Sequence, residues 1–285
     1  MRRIVLLVIA PLAFLSAACG TTSDEPSVHP PPSGTPTDPN RLYEANTTVL
    51  EDHGHGPMLC LGGMLESFPP QCGDVPLAGW NSKRVEGEES AGGTTWGTYH
   101  VVGRYDGETF SVTDVGAYQE GPMQTGPDFS SPCPEPEGGW TGLDGATQEH
   151  DDAVHRYARA QPGYVASWVT HLDPDALEFS PVIVNVVFTD DSERHEAAMR
   201  ELWDGPLCVV ERDVPSARDL GRIRKEAEAN LGELGLQMLW SDGPGVEPVI
   251  EIGVVADVGG SGQAAFDERY GVGVIRLVPA LRPVS

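Results

Sequence analysis

The stretch PVIVNVVFTDDSERHEAAMREL, Pro181–Leu202, aligns without a gap on PVIEIGVVADVGGSGQAAFDER, Pro248–Arg269. Pro181 falls on Pro248, Val182-Ile183 on Val249-Ile250, Asp190 on Asp257, Ala197-Ala198 on Ala264-Ala265, and Met199 on Phe266. Each stretch begins apolar and β-branched, which suits a buried strand. Each then turns polar with apolar residues three and four apart, which suits a helix. A further apolar run closes each copy, at Leu207–Val210 and Val274–Val278. The sequence therefore predicts a strand–helix–strand unit twice, over residues 181–211 and 248–279. Such a duplication predicts a ferredoxin-like α/β sandwich for residues 141–285.

Working outward, Ser216–Leu234 carries one apolar stripe of Leu220, Ile223, Ala227, Leu231 and Leu234. Ser216 with Asp219 approximates a capping box and Gly235 supplies the stop. Read this way, the helix and the strand LQMLW behind it are an insertion between the copies. Upstream, a helix is expected between Thr147 and Pro162-Gly163, with acidic residues in its first turn and Arg156 and Arg159 in its last.

Residues 42–140 change character. Short apolar pieces alternate with glycine and proline, and TTWGTYHVVGRY is followed by Asp106-Gly107 and ETFSVTDV. Asp-Gly between alternating runs predicts a β-hairpin. The alternation puts Trp96, His100 and Val102 on one side, with Tyr99, Val101 and Tyr105 on the other. Several short strands predict a small β-rich barrel or sandwich, so the chain as a whole is α+β.

The chain opens MRRIVLLVIAPLAFLSAAC, with Arg2 and Arg3 ahead of an apolar run and small residues before Cys19. That is the form of a signal peptide, residues 1–18. Its Leu-Ser-Ala-Ala-Cys ending resembles the lipobox of bacterial lipoproteins, although Leu15 sits one place upstream of the usual slot. The resemblance implies lipidation at Cys19 and placement at the cell membrane, on the extracytoplasmic face. The apolar run is about twelve residues, short of the roughly twenty that span a bilayer. Residues 19–41 are rich in proline and read as a tether, about 25 Å long as a flexible coil.

The formal charge is −25, from 43 acidic and 18 basic residues. Such a chain is repelled by phosphate backbones, which excludes nucleic acid as the expected partner. Of the five cysteines, four are left once Cys19 is assigned to lipid. An even count in an exported chain predicts two disulfides, and four cysteines allow three pairings. Cys60–Cys72 is expected as a local staple and Cys133–Cys208 as a long-range one.

Few residues suggest chemistry. The chain has no phosphate loop, zinc-protease or nucleophile-elbow motif, so no catalytic residue and no cofactor is assigned. His53 and His55 are the only close histidine pair, beside Glu51 and Asp52, and with His100 are the weak metal candidates. Asp190 and Asp257 fit helix-start turns, Gly259–Gly262 fits a loop between strand and helix, and His150 and His155 are expected in solvent. Trp80, Trp96 and Trp140 lie among glycines, where exposed rings could hold a sugar or peptide, and are the weak ligand-binding candidates. The expected role is a binding or structural scaffold module. It would meet an envelope protein or cell-wall component on the outer face of the membrane. The alternative is an envelope hydrolase with a carboxylate-based site.

Overall fold

The computed structural model describes residues 41–120, 126–141, 148–173 and 181–284. Cys19, the tether and Thr147 lie outside them. The described residues fall within one compact unit, mixed α+β with sheet dominant. No helix among the described residues is long and apolar enough to cross a membrane.

The β-rich part holds β1 (Tyr43–Asp52), β2 (Gly56–Cys60), β3 (Val75–Ala78), β4 (Glu89–Ala91), β5 (Thr94–Tyr105) and β6 (Phe110–Ala117). With the short C-terminal β13 (Arg282–Pro283) they make a seven-stranded sheet. One edge of β1 runs along β5, from Tyr43 opposite Gly103 to Glu51 opposite Thr95. Its other edge takes β2 at Thr48–Asp52 and β13 at Tyr43-Glu44. β2 continues antiparallel to β3, β3 parallel to β6, and β6 antiparallel to β5. Pairing followed from β1 through β2, β3, β6 and β5 thus returns to β1.

Alternation along β5 sends Tyr99, Val101 and Tyr105 inward, as the sequence predicts. They meet Val49, Leu59, Val75, Leu77 and Phe110 in one core. At the Asp106-Gly107 turn, the Asp106 carboxylate accepts from the amides of Glu108 and Thr109 at 2.9 and 2.8 Å. Those bonds hold its carboxyl below the usual carboxylate range.

The second part is a larger duplication than the sequence alignment suggests. It runs α1 (Gln148–Ala160), β7 (Tyr164–His171), β8 (Val182–Phe188), α2 (Ser192–Arg200), β9 (Leu207–Glu211), then α3 (Ala217–Asn230), β10 (Met238–Asp242), β11 (Ile250–Val254), α4 (Ser261–Tyr270) and β12 (Ile275–Pro279). Each copy is helix–strand–strand–helix–strand. The Ser216 helix is therefore no insertion; with β10 it opens the second copy, as α1 and β7 open the first. In each, the middle strand pairs antiparallel with the strand before it and parallel with the strand after the helix. Both hairpins also carry a one-residue bulge at the same place, around Val165 and Leu239.

Pairing also corrects the alignment. Val184 faces Leu207, and its counterpart Ile250 faces Ile275. Val184, Val186 and Phe188 match Ile250, Ile252 and Val254, one residue out of step with the gapless alignment. A shift of one in a strand exchanges its two faces. The helices keep the aligned register, with Met199 and Phe266 both buried.

Each copy has its own three-stranded sheet, whereas a ferredoxin-like arrangement would place the strands of both copies in one sheet. The hairpin partners β7 and β10 occupy the edges at which β8 and β11 would otherwise join. Val154, Ala158, Met199 and Trp203 cover one face of the first sheet. Leu220, Ile223, Ala227 and Phe266 cover one face of the second.

The expected disulfides form: Cys60–Cys72 with Cα atoms 5.4 Å apart, and Cys133–Cys208 with 5.8 Å. The second ties the strap leading from the β-rich part onto β9. The same strap accepts hydrogen bonds at the Ser130 carbonyl from the Trp168 indole and at the Phe129 carbonyl from Thr170.

Candidate functional site

The most developed surface feature stands at the end of the β-rich part where β1 finishes and β5 begins. The loop joining β2 to β3 is a displayed, well-held structure. Cys60–Cys72 closes its base, Leu65 bridges to Gln71, and the Asp74 carboxylate accepts from the Gly62 amide at 2.8 Å. Yet this loop puts apolar side chains into water: Met64, Leu65 and Phe68 are 46, 67 and 80% exposed. Exposed apolar side chains grouped on one short loop, unlike scattered single ones, mark a candidate contact surface. Phe68 stands edge-on to Trp96, ring centroids 5.9 Å apart.

Trp96 is on the outward face of β5, and that stretch of the strand also borders a narrow recess. The other walls are Val49, Glu51, Trp80, Glu88, Thr95, Gly97 and Tyr99. Trp80 packs on Tyr99 at 5.2 Å. Tyr99 belongs to the inward face, but its phenol runs back along the strand over Gly97. A Cβ on Gly97 would lie 2.2 Å from the Tyr99 hydroxyl. Glycine at this position is what lets a core side chain reach the rim. Tyr99 is only 4% exposed, and its hydroxyl has no hydrogen-bond partner among the described residues. Burial, with the Glu88 charge adding to it, pushes the Tyr99 pKa up, so the phenol keeps its proton. Neither Glu51 nor Glu88 forms an ion pair among the described residues.

Two of the three candidate tryptophans, Trp80 and Trp96, therefore border one recess. Trp140 lines a different one, with Cys133, Arg200, Gly205 and Pro206. Tyr99, Glu51 and Glu88 were not singled out by sequence. Alternation assigns Tyr99 to the core, and only the missing Gly97 side chain hints that it reaches further.

The histidine candidates are not brought together with His100. His53 and His55 stand in the β1–β2 turn, where the Asp52 carboxylate accepts from the His55 and Gly54 amides and lies 3.2 Å from the His55 ring. Those contacts, the His55 amide first, hold Asp52 below the usual carboxylate range. His100 pairs with Glu44 at 3.2 Å, half a strand away. No cluster of three metal-ligating side chains occurs among the described residues.

The second copy also shows why Gly259–Gly262 is no anion site. Asp257 accepts from the Gly262 and Gln263 amides at 2.9 and 3.0 Å, so the helix start is already capped by its own carboxylate,. In the first copy the cap position is Asp191, in the left-handed region, with no side-chain cap bond.

His155 corrects the expectation of a solvated ring. Its side chain is 13% exposed, with Nε2 3.0 Å from Asp151 and Nδ1 2.8 Å from the Ser167 hydroxyl. The Tyr164 hydroxyl is 3.0 Å from the same Ser167 oxygen. Helix spacing puts Asp151 and His155 on one face, and α1 lies on β7, which brings Ser167 beneath them. Burial depresses the His155 pKa, against the pull of Asp151. Sequence spacing could not pair a helix residue with a strand residue twelve positions on.

No protein-family model and no curated protein sequence matches this chain.

Proposed function

We propose that this chain is an exported cell-envelope protein, lipid-anchored at Cys19 on the extracytoplasmic face, whose β-rich part, residues 42–140, is a binding module. The Lipobox-like ending and the proline-rich tether support the anchor, and the two disulfides agree with an oxidising compartment,. In this reading the ring of five strands is a small barrel of the OB type, with β3 and β6 as its parallel pair. Residues 141–285 form the support that carries it. The partner is an envelope protein or wall component within reach of the tether; nucleic acid and metal have no part in it. One observation carries the proposal: a disulfide-stapled loop holds Phe68 four-fifths exposed against Trp96.

The test is a pull-down from detergent-solubilised envelope with the full chain and with Phe68→Ala. A partner retained by the wild type and lost with Phe68→Ala supports the reading; equal capture by both rejects the loop as the binding face. Cys19→Ala should move the protein from the membrane fraction to the soluble one, and a variant that stayed with the membrane would refute the anchor.

A second reading, a hydrolase, is favoured by the Asp151–His155–Ser167 chain. Carboxylate, imidazole and hydroxyl follow in the order that activates a serine nucleophile, with the imidazole hydrogen-bonded to Ser167 and the Asp151 oxygen 3.0 Å away but not aligned to accept,. Labelling of Ser167 by a fluorophosphonate, abolished by His155→Gln, would support it. An unlabelled Ser167 in the folded protein would remove it.

A further inference from the structure

The two copies treat the same strand edge differently. β9 and β12 each stand at the end of their sheet, with a neighbour on one side only. In the first copy the Val184 amide donates to the Pro206 carbonyl and the Arg212 amide to the Phe188 carbonyl. Even-numbered residues of β9 therefore bond to β8, and Leu207 and Val209 turn their main-chain groups outward,. In the second copy the Ile250 amide donates to the Val274 carbonyl and the Ala280 amide to the Val254 carbonyl. That turns Ile275 and Leu277 outward in the same way.

The second copy closes its edge with a side chain. The Gln263 amide group on α4 donates to the Ile275 carbonyl at 2.9 Å, and its oxygen accepts from the Leu277 amide at 2.8 Å. Those are the two bonds a further strand would make there. The aligned residue in the first copy is Glu196, whose carboxylate has no hydrogen to donate to a carbonyl. The Leu207 carbonyl receives only a 3.4 Å contact from Arg200, whose shorter bond, 2.8 Å, goes to the Gly205 carbonyl. The Val209 amide has no partner among the described residues. Beside this edge lies a cavity of about 410 Å³, lined by Leu207, Val209, Glu196 and Arg200 and by Pro134, Pro136 and Trp140 of the strap. The strap does not close the edge as a strand would, because its prolines carry no N–H.

We propose that the outward edge of β9 takes up an extended peptide segment of a partner protein through its main chain, adding a strand to the first sheet. The segment supplies what Gln263 supplies in the other copy: a carbonyl for the Val209 amide and an N–H for the Leu207 carbonyl. Half-buried Trp140 gives one of its side chains an apolar surface,. Glu137 and Glu196 line the same cavity, and with the net charge of −25 they disfavour acidic segments,. The same carboxylates, with exposed Glu211, oppose pairing of β9 with β9 of a second chain,. This surface lies on the support and does not depend on the Phe68 loop.

The experiment uses the full chain. A library of random linear peptides is displayed against the immobilised protein, and the most enriched peptide is titrated into isotope-labelled protein. It should shift the Leu207 and Val209 amide signals and slow hydrogen exchange at Val209 about tenfold. N-methylation of the peptide bonds that face β9 should weaken binding about tenfold. Glu196→Gln with Arg200→Asp carries over the second copy's pair, Gln263 and Asp267, which are bonded to each other at 2.9 Å. With no peptide present, that variant should slow Val209 exchange, and it should weaken the peptide about tenfold with an unchanged melting temperature. Phe68→Ala should leave peptide binding as it is. The proposal is overturned by a library without enrichment, by a bound peptide that leaves Val209 exchange unchanged, or by a double variant that exchanges and binds like the wild type. Protection of Val209 by a chitooligosaccharide or by self-association of the chain, in place of peptide, overturns it too. Loss of peptide binding in Phe68→Ala would put the peptide on the other surface and equally overturn it.

Discussion

The two copies of the helix–strand–strand–helix–strand unit share strand order, pairing and bulge, yet differ in what their interiors contain. The aligned helix positions His195 and Gly262 show it best. In the first copy the His195 ring is buried, stacked on Phe188 at 3.9 Å and 3.1 Å from the Tyr157 hydroxyl. In the second copy a Cβ at Gly262 would come within 2.8 Å of Leu236, 3.0 Å of the Asp257 carboxylate and 3.1 Å of Leu277. Two leucines and the capping Asp257 carboxylate fill the space that an imidazole takes in the other copy. The outer sheet faces differ as well. Asn185 is buried, bonded to Thr170 at 2.9 Å, whereas its structural counterpart Glu251 pairs with Arg276 on an exposed face. One backbone plan thus accepts a polar interior or a dry one, provided the volume is filled and buried donors find acceptors.

That contrast can be broken in three ways. The largest effect belongs to Cys133–Cys208, a cross-link that only the first copy has. Closing a loop of 75 residues is worth about 4.5 kcal/mol on the chain-entropy account. Cys133→Ser with Cys208→Ser should lower the denaturation midpoint accordingly, and an unchanged midpoint would show that the strap is held by its hydrogen bonds alone. Next comes His195→Ala, which removes a stacked ring and strips the Tyr157 hydroxyl of its partner. It should cost about 3 kcal/mol, against about 1 kcal/mol for Gly262→Ala, where the flexible leucine ends and the Asp257 carboxylate yield,. Equal losses at the two positions would contradict the filled-space account.

The smallest effect is a pH dependence confined to the first copy. Burial depresses the pKa of both His155 and His195 below the ordinary histidine value of 6.5. Above that value both folded and unfolded chains carry neutral rings and nothing changes. As pH falls through it, the unfolded chain takes up protons that the folded one refuses, so stability declines until the depressed folded values are reached. Urea midpoints at pH 7.5 and 5.5 should therefore differ for the wild type and converge when both histidines become glutamine. The second copy has no histidine at all, so probes placed in it should report only the shared loss.

How much of this was legible in sequence depended on range. The β5–β6 hairpin was readable because Asp106-Gly107 acts within a few residues, and the two disulfides because four cysteines remain as an even set once Cys19 is set aside. The inner strand–helix–strand of each copy was readable because its apolar pattern recurs. α1 and α3 were not seen as equivalents, since their sequences share no alignment and the hairpin loops that follow differ in length. The return of β5 to β1 was not visible either, because pairing across fifty residues leaves no local mark. Around the recess, Trp80 and Trp96 were picked out as aromatic residues among glycines. Tyr99, Glu51 and Glu88 join them only through the closed strand order and the bare backbone at Gly97.

The pairing of β1 has a mechanical consequence. Its first residues are gripped from both sides, Tyr43 lying between Gly103 of β5 and Pro283 of β13, with the Val284 amide bonded to the Leu42 carbonyl. A pull entering at Arg41 runs along the strand axis, while the ladder bonds lie across it. They are loaded together in shear instead of being unzipped one after another. A body hung from its N-terminus would thus meet tension first at the place where its hydrogen bonds share it most evenly.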